Sequence, residues 1–262
     1  MLDGRIAVAT AHFKQPLKKA LHTAAQLGAR GVQIDALSEL RPGELSQTGV
    51  RQFRKMLEDL NLRVASVRFP TRRGYYDLDR LDERIAATKR AMQLAYDLGA
   101  SVVINQIGRV PEDEASPEWQ TLTEALTDLA MHGHHVGAIL AAKTGTESAA
   151  DLARLLKVLP EGAIGVDLDP GRLIINGFSA SDALQTLASQ VVHVTATDGV
   201  RDLAIGRGLE VQLGRGSTDY PELVAVLEER NYRGWFTIER RDATDPVHEI
   251  GESVEFLRNI YS

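Results

Sequence analysis

The feature that most constrains this chain is an alternation that runs from one end to the other. Eight short apolar runs recur: Arg5–Thr10, Gly31–Asp35, Arg63–Phe69, Ser101–Gln106, Gly137–Lys143, Ala163–Asp169, Val191–Thr197 and Trp235–Glu239. Each is rich in Val, Ile or small apolar residues, and most are bounded by Gly, Pro or Asp, as buried strands are. Between them lie segments whose apolar residues recur at helical spacing. They are Leu17–Leu27, Val50–Leu60, Leu81–Leu98, Trp119–Ala130, Ala149–Leu159, Ala180–Leu187, Tyr220–Glu229 and Val247–Ile260. Strict alternation of strand and helix implies a parallel sheet covered by helices. Eight units in 262 residues favour closure into a single (β/α)8 barrel, which typically takes roughly 250 residues. No linker or low-complexity segment interrupts the pattern, so residues 1–262 read as one domain. The glycines at 206, 208, 214 and 216 follow the seventh run rather than the first, so they do not form a dinucleotide-binding turn. The longest non-periodic segment is Gly199 to Asp219.

Composition narrows the function. A net charge of −6 gives no support for a nucleic-acid or anionic-membrane partner. The absence of cysteine excludes thiolate chemistry, disulfides and Cys-based zinc sites. No apolar run approaches the ~20 residues of a membrane span, and the N-terminus lacks the apolar core of a signal peptide, so the expected location is the cytoplasm.

In such a barrel the chemistry gathers where strands end. Here the strand ends carry Asp35, Arg68, Asn105 with Gln106, Lys143, Asp169, His193 with Thr195, and Glu239. Side chains alternate along a strand, so Asp167 and Asp169 share a face, as do His193, Thr195 and Thr197. Polar groups converging from separate strands are costly to bury unless they are paired or meet a ligand.

Six stretches carry a resemblance: AAQLGARGVQI, AYDLGASVVINQIG, LAAKTGTESAADLARLL, GVDLDPGRLIINGF, HVTATDG and LGRGSTDYPELVAVLEERNYRGWFTIER. Together they resemble the xylose isomerase-like TIM barrel superfamily, which includes sugar phosphate isomerases/epimerases, ketose 3-epimerases and endonuclease IV. Acidity and the poverty of strand-end histidines argue against the nuclease branch. The resemblance implies a divalent metal (Mn, Mg, Zn or Co) held by a Glu, an Asp, a His and a Glu on strands five to eight, which polarises a sugar carbonyl while a carboxylate moves a proton. It also implies a homo-oligomer as an option. Asp169 and Glu239 match two of the ligands. Lys143 stands where the strand-five Glu belongs, Thr195 where the metal His belongs, and Arg172 where relatives often carry His or Asn.

The exchange of Glu for Lys shifts the local charge by two units, and an ammonium has no lone pair to offer. Lys143 is therefore expected to take the metal's place and pair with Asp169 and Glu239. Three readings follow. One is a sugar or sugar phosphate isomerase/epimerase, with Glu239, Lys143 and Asp169 as catalytic groups. His193, Arg172, Asp35, Arg68, Arg207 and Arg215 would then hold a small carbohydrate, neutral or anionic. If a metal is retained, it is weakly bound by Asp169 and Glu239. The second reading is a sugar-binding or regulatory barrel without turnover. The third is a metal-independent lyase using Lys143 as a Schiff-base nucleophile. The histidines of Met131–Val136 sit at a helix end before strand five, where they suit the helix dipole rather than a metal.

Overall fold

The computed structural model describes residues 5–202 and 206–261. Eight parallel strands close on themselves in the order β1-β10-β7-β6-β5-β4-β3-β2. They are β1 (Ile6–Ala9), β2 (Gly31–Asp35), β3 (Arg63–Arg68), β4 (Val102–Asn105), β5 (Ile139–Lys143), β6 (Gly165–Leu168), β7 (Val191–Ala196) and β10 (Phe236–Ile238). Their outward faces pack on helices α1 (Leu17–Gln26), α2 (Gln47–Asp59), α3 (Leu81–Leu98), α4 (Pro117–Val136), α5 (Ala149–Val158), α7 (Ala180–Leu187), α8 (Tyr220–Glu229) and α9 (Pro246–Tyr261). The large apolar core lies in this outer shell, as the helical spacing of the sequence requires.

Helix ends follow local chemistry. Ser46, Ser116, Ser148 and Ser179 each accept a backbone N–H from the first turn of α2, α4, α5 and α7. Gly99 ends α3 at φ +83°, a left-handed turn that returns the chain to β4. The segment Gly199 to Asp219 departs from the non-periodic loop expected of it. It contains an antiparallel ribbon, β8 (Asp198–Val200) with β9 (Leu209–Val211); its residues 203–205 lie outside the described ones, as do 1–4 and 262. The expectation missed it because each strand is only three residues long, too short to show a period, and β8 carries a glycine at its centre. A six-residue helix α6 (Pro170–Ile175) was also not anticipated; it follows β6 directly, with Asp169 as its N-cap and Pro170 in its first turn.

Inside the barrel, alternation places Ile139 and Ala141 on the same face of β5 as Lys143. Ala141 packs with Val102 and Ile104 in a small cluster separate from the outer core. The barrel is thus apolar toward the strand starts and polar toward the strand ends.

Candidate functional site at the C-terminal mouth

Two polar layers stack above that apolar plug. The lower one centres on His193, which is fully buried. Its Nδ1 lies 2.8 Å from Asp167 Oδ1, and its Nε2 lies 2.8 Å from Thr237 Oγ1 and 3.2 Å from Ser66 Oγ. Both ring nitrogens are engaged within the barrel wall. His193 is therefore not at the mouth, and its expected role in holding substrate is corrected. Alternation was read properly, but two residues along a strand is a rise of about 6.6 Å, which drops His193 one layer below Thr195.

The upper layer centres on Lys143, only 4% exposed. Its ammonium lies 3.0 Å from Asp169 Oδ2, 3.3 Å from Glu239 Oε1 and 3.5 Å from Asp167 Oδ2, and it donates to Thr195 Oγ1 at 3.0 Å. Thr195 passes the interaction on, donating to Asp167 Oδ2 at 2.8 Å. Asp167 thus ties the two layers together, a part not assigned to it from sequence although its shared face with Asp169 was visible. Arg241 donates to Glu239 Oε2 at 2.7 Å, so both oxygens of that carboxylate are taken. Glu239 is therefore a buried carboxylate held between Lys143 and Arg241. Asp169 Oδ1 accepts from the Arg172 backbone at 2.9 Å and from the Thr197 hydroxyl.

The electrostatics follow from this packing. Burial alone would lower the Lys143 pKa, but Asp169, Glu239 and Asp167 outweigh it and hold the ammonium above its ordinary value. Burial would raise Glu239, but Lys143 and then Arg241 hold it well below the usual carboxylate range. Glu239 in turn raises Arg241. Two cations, Lys143 and Arg241, face three carboxylates, Asp167, Asp169 and Glu239.

Loops brace this centre. Arg240 pairs with Glu210 at 2.7 Å and Glu249 at 2.8 Å, tying the β10–α9 turn to the β8–β9 ribbon. Its backbone N–H donates to His12 Nδ1 at 2.8 Å, which leaves the His12 proton on Nε2. Burial lowers the His12 pKa to about 4, so the ring is neutral at pH 7. The Gly-rich turn after β9 is also internal scaffolding. The Asp198 carboxylate accepts the backbone N–H groups of Gly199, Gly214, Gly216 and Thr218, and a Cβ at Gly216 would stand 2.2 Å from its oxygen.

A cleft of about 290 Å³ opens over these groups, lined by Asp169, Arg172, Asn176, Thr197, Glu210, Arg241 and Asp242 among others. Arg172 lines the cleft, its guanidinium 2.9 Å from the Gln106 amide oxygen in the orientation that suits the Gln106 amide. Arg241 and Glu210 are additions that sequence reasoning missed. Arg207 and Arg215 are exposed and do not line the cleft; the ribbon presents Gly208 and Glu210 there instead. Asp35 and Arg68 are spent on each other, and Asp35 also caps the following turn through Leu37 and Ser38 N–H at 2.9 Å.

Comparison with known proteins agrees with this architecture. Residues 21–260 match the family model described as "Xylose isomerase-like TIM barrel". The chain is 22% identical over 245 residues to an inosose dehydratase of Bacillus thuringiensis (strain Al Hakam), covering 79% of each chain. Among solved structures, a xylose isomerase domain protein from Planctomyces limnophilus superposes with a TM-score of 0.83 at 24% identity, covering 92% of this chain and 91% of that one. A xylose isomerase-like TIM barrel protein from Mycobacterium smegmatis, solved in complex with magnesium, gives 0.77 at 17% identity, covering 98% and 96%.

Proposed function

We propose that this chain, which belongs to the xylose isomerase-like TIM barrel family, binds a small anionic carbohydrate at the C-terminal mouth of the barrel and does so without a divalent cation. The observation that carries this is the position of the Lys143 ammonium, within 3.0 to 3.5 Å of all three mouth carboxylates. A dication seated between Asp169 and Glu239 would stand a few ångströms from that ammonium. At an effective dielectric of about 20 their repulsion is on the order of 10 kcal/mol. The donor set suits an ammonium and not a metal.

The cleft size supports a monosaccharide-sized ligand, since ligand pockets usually start at roughly 300 Å³. Arg172 and Arg241 at its wall suit a sugar phosphate or a sugar acid. The same geometry bears on turnover. Glu239 is held ionised with both oxygens engaged, which makes it a weak base for abstracting a proton from carbon. Lys143 is held charged and buried, which makes it a poor Schiff-base nucleophile. Binding without carbon chemistry is the reading favoured by these contacts.

Isomerase or epimerase activity is the second reading. It rests on family membership, and on Asp169 and Glu239 standing at the ends of β6 and β10. One experiment separates the two. Sugar phosphates, sugar acids and an inosose are titrated by calorimetry, and each binder is then incubated with the protein in D2O and followed by NMR. Binding with no deuterium entering carbon is the expected result. Exchange at a carbon next to a carbonyl, lost in Glu239→Gln, would put the enzymatic reading first.

A further inference from the structure

The opposite end of the barrel carries charge of a different kind. Arg5 precedes β1, Arg30 precedes β2 and Arg63 opens β3. Backbone hydrogen bonds from Arg30 N to Ile6 O (2.9 Å) and from Arg63 N to Arg30 O (3.1 Å) set these positions side by side on three neighbouring strands. Adjacent strands run about 4.8 Å apart, and like charges on neighbouring strands repel. Arg54 of α2 joins the row, its guanidinium lying over Gly99, where a Cβ would meet it at 3.0 Å. These four arginines line one cleft of about 840 Å³, in which Glu58 is the single carboxylate among the described residues. Arg5 also lines an adjoining cleft of about 650 Å³ with Arg230 and Arg233, and no carboxylate of the described residues lines that one. Trp235 forms a wall of both. Its indole fits against Gly31, where a Cβ would be 2.8 Å from the ring, and it lies 5.9 Å from the Arg5 guanidinium.

All six arginines are exposed, and among the described residues none has a carboxylate within 4.0 Å. Acids are not scarce, since Asp and Glu number 36 against 30 for Lys and Arg. The same chain pairs Arg68, Arg73, Arg80, Arg154, Arg240 and Arg241 elsewhere. A protein of net charge −6 has here gathered unpaired cations around a concave surface, on the end of the barrel that the proposed carbohydrate site does not use.

We infer that this N-terminal face is a binding site for a small polyphosphate. Guanidinium forks match phosphate oxygens in pairs, and only a multiply charged anion answers four arginines in one cleft. The exposed part of the Trp235 indole supplies a stacking surface if the phosphate chain bears a nucleobase. The site is independent of the carbohydrate reading.

The test is calorimetric titration of the full chain with inorganic tripolyphosphate and with ATP, without magnesium, at about 0.15 M NaCl. One site per chain with a Kd of about 100 µM or tighter is expected, weakening at least roughly tenfold in Arg30→Ser/Arg63→Ser and again as salt rises. Equal affinity for the two probes assigns the site to the phosphate chain alone. Tighter binding of ATP, by roughly tenfold, adds the base on Trp235. Arg230→Ser/Arg233→Ser, which alters the adjoining cleft only, is a second variant should the first fold poorly. Absence of binding at about 1 mM overturns the inference. So does binding that both double variants leave unchanged, which would place the anion at the mouth.

Discussion

The two ends of the barrel treat charge in opposite ways. At the C-terminal mouth Lys143, Asp167, Asp169 and Glu239 are all at least 96% buried, and each is in contact with an opposite charge. At the N-terminal face six arginines stand in solvent, and among the described residues none has a carboxylate within 4.0 Å. Burial explains the difference. An unpaired charge inside the barrel is prohibitively costly, so every charge of this cluster meets an opposite one before any ligand arrives. An exposed guanidinium is hydrated and screened, so the open face tolerates a cluster that a ligand can later neutralise. Charge at the mouth therefore holds the fold together, whereas charge at the N-terminal face is available for binding.

The largest expected effect comes from removing the mouth's central cation. Lys143→Met leaves three buried carboxylates facing one another and should cost about 3–5 kcal/mol of unfolding free energy, read by urea denaturation. A loss below about 1 kcal/mol would mean that the cluster is not self-compensating, and the contrast would collapse.

Glu147 sharpens the comparison from within the mouth. It follows β5, is buried, and has one oxygen with no hydrogen-bond partner. Burial raises its pKa from 4.5 to about 7. In that window the folded protein keeps a proton that the unfolded chain has released. The contribution of Glu147 to stability is therefore complete below pH 4.5 and is lost as pH rises through about 7. Glu147→Gln should remove this slope and leave the protein more stable than wild type at pH 8, by about 1–3 kcal/mol. Identical pH–stability curves for the two proteins would show that Glu147 has a partner that balances its charge.

The smallest effect belongs to the N-terminal face. Arg30→Ser/Arg63→Ser should change stability by less than about 0.5 kcal/mol, in the favourable direction at low salt. A loss of several kcal/mol would show that these arginines are structural after all.

Much of the fold was legible. The bounds of β2, α3, α7 and α8 agree with the apolar periodicity, because burial on one side fixes the period of the sequence. The β8–β9 ribbon and α6 were not, being too short to show a period. At the site, the pairing of Lys143 with Asp169 and Glu239 was readable because the family resemblance sets all three at strand-end metal-ligand positions, where an ammonium takes the place of a cation. Depth was not readable. It decides that Asp167 of β6 and Thr237 of β10 stand level with His193, and it depends on how neighbouring strands are staggered, which includes an irregularity between Val166 and Asp167. Nor was it visible which arginine would meet Glu239. Arg240 and Arg241 are adjacent in sequence, but Arg240 turns to Glu210 and Glu249.

The central claim is that Lys143 is the cation of the mouth. Its most direct test is calorimetric titration of chelator-treated protein with Mn2+, comparing wild type with Lys143→Glu/Thr195→His. No binding tighter than about 1 mM is expected in wild type, and one micromolar-range site in the double variant, where four oxygen and nitrogen donors converge. Micromolar binding of one Mn2+ per wild-type chain, abolished by Asp169→Asn, would contradict the claim.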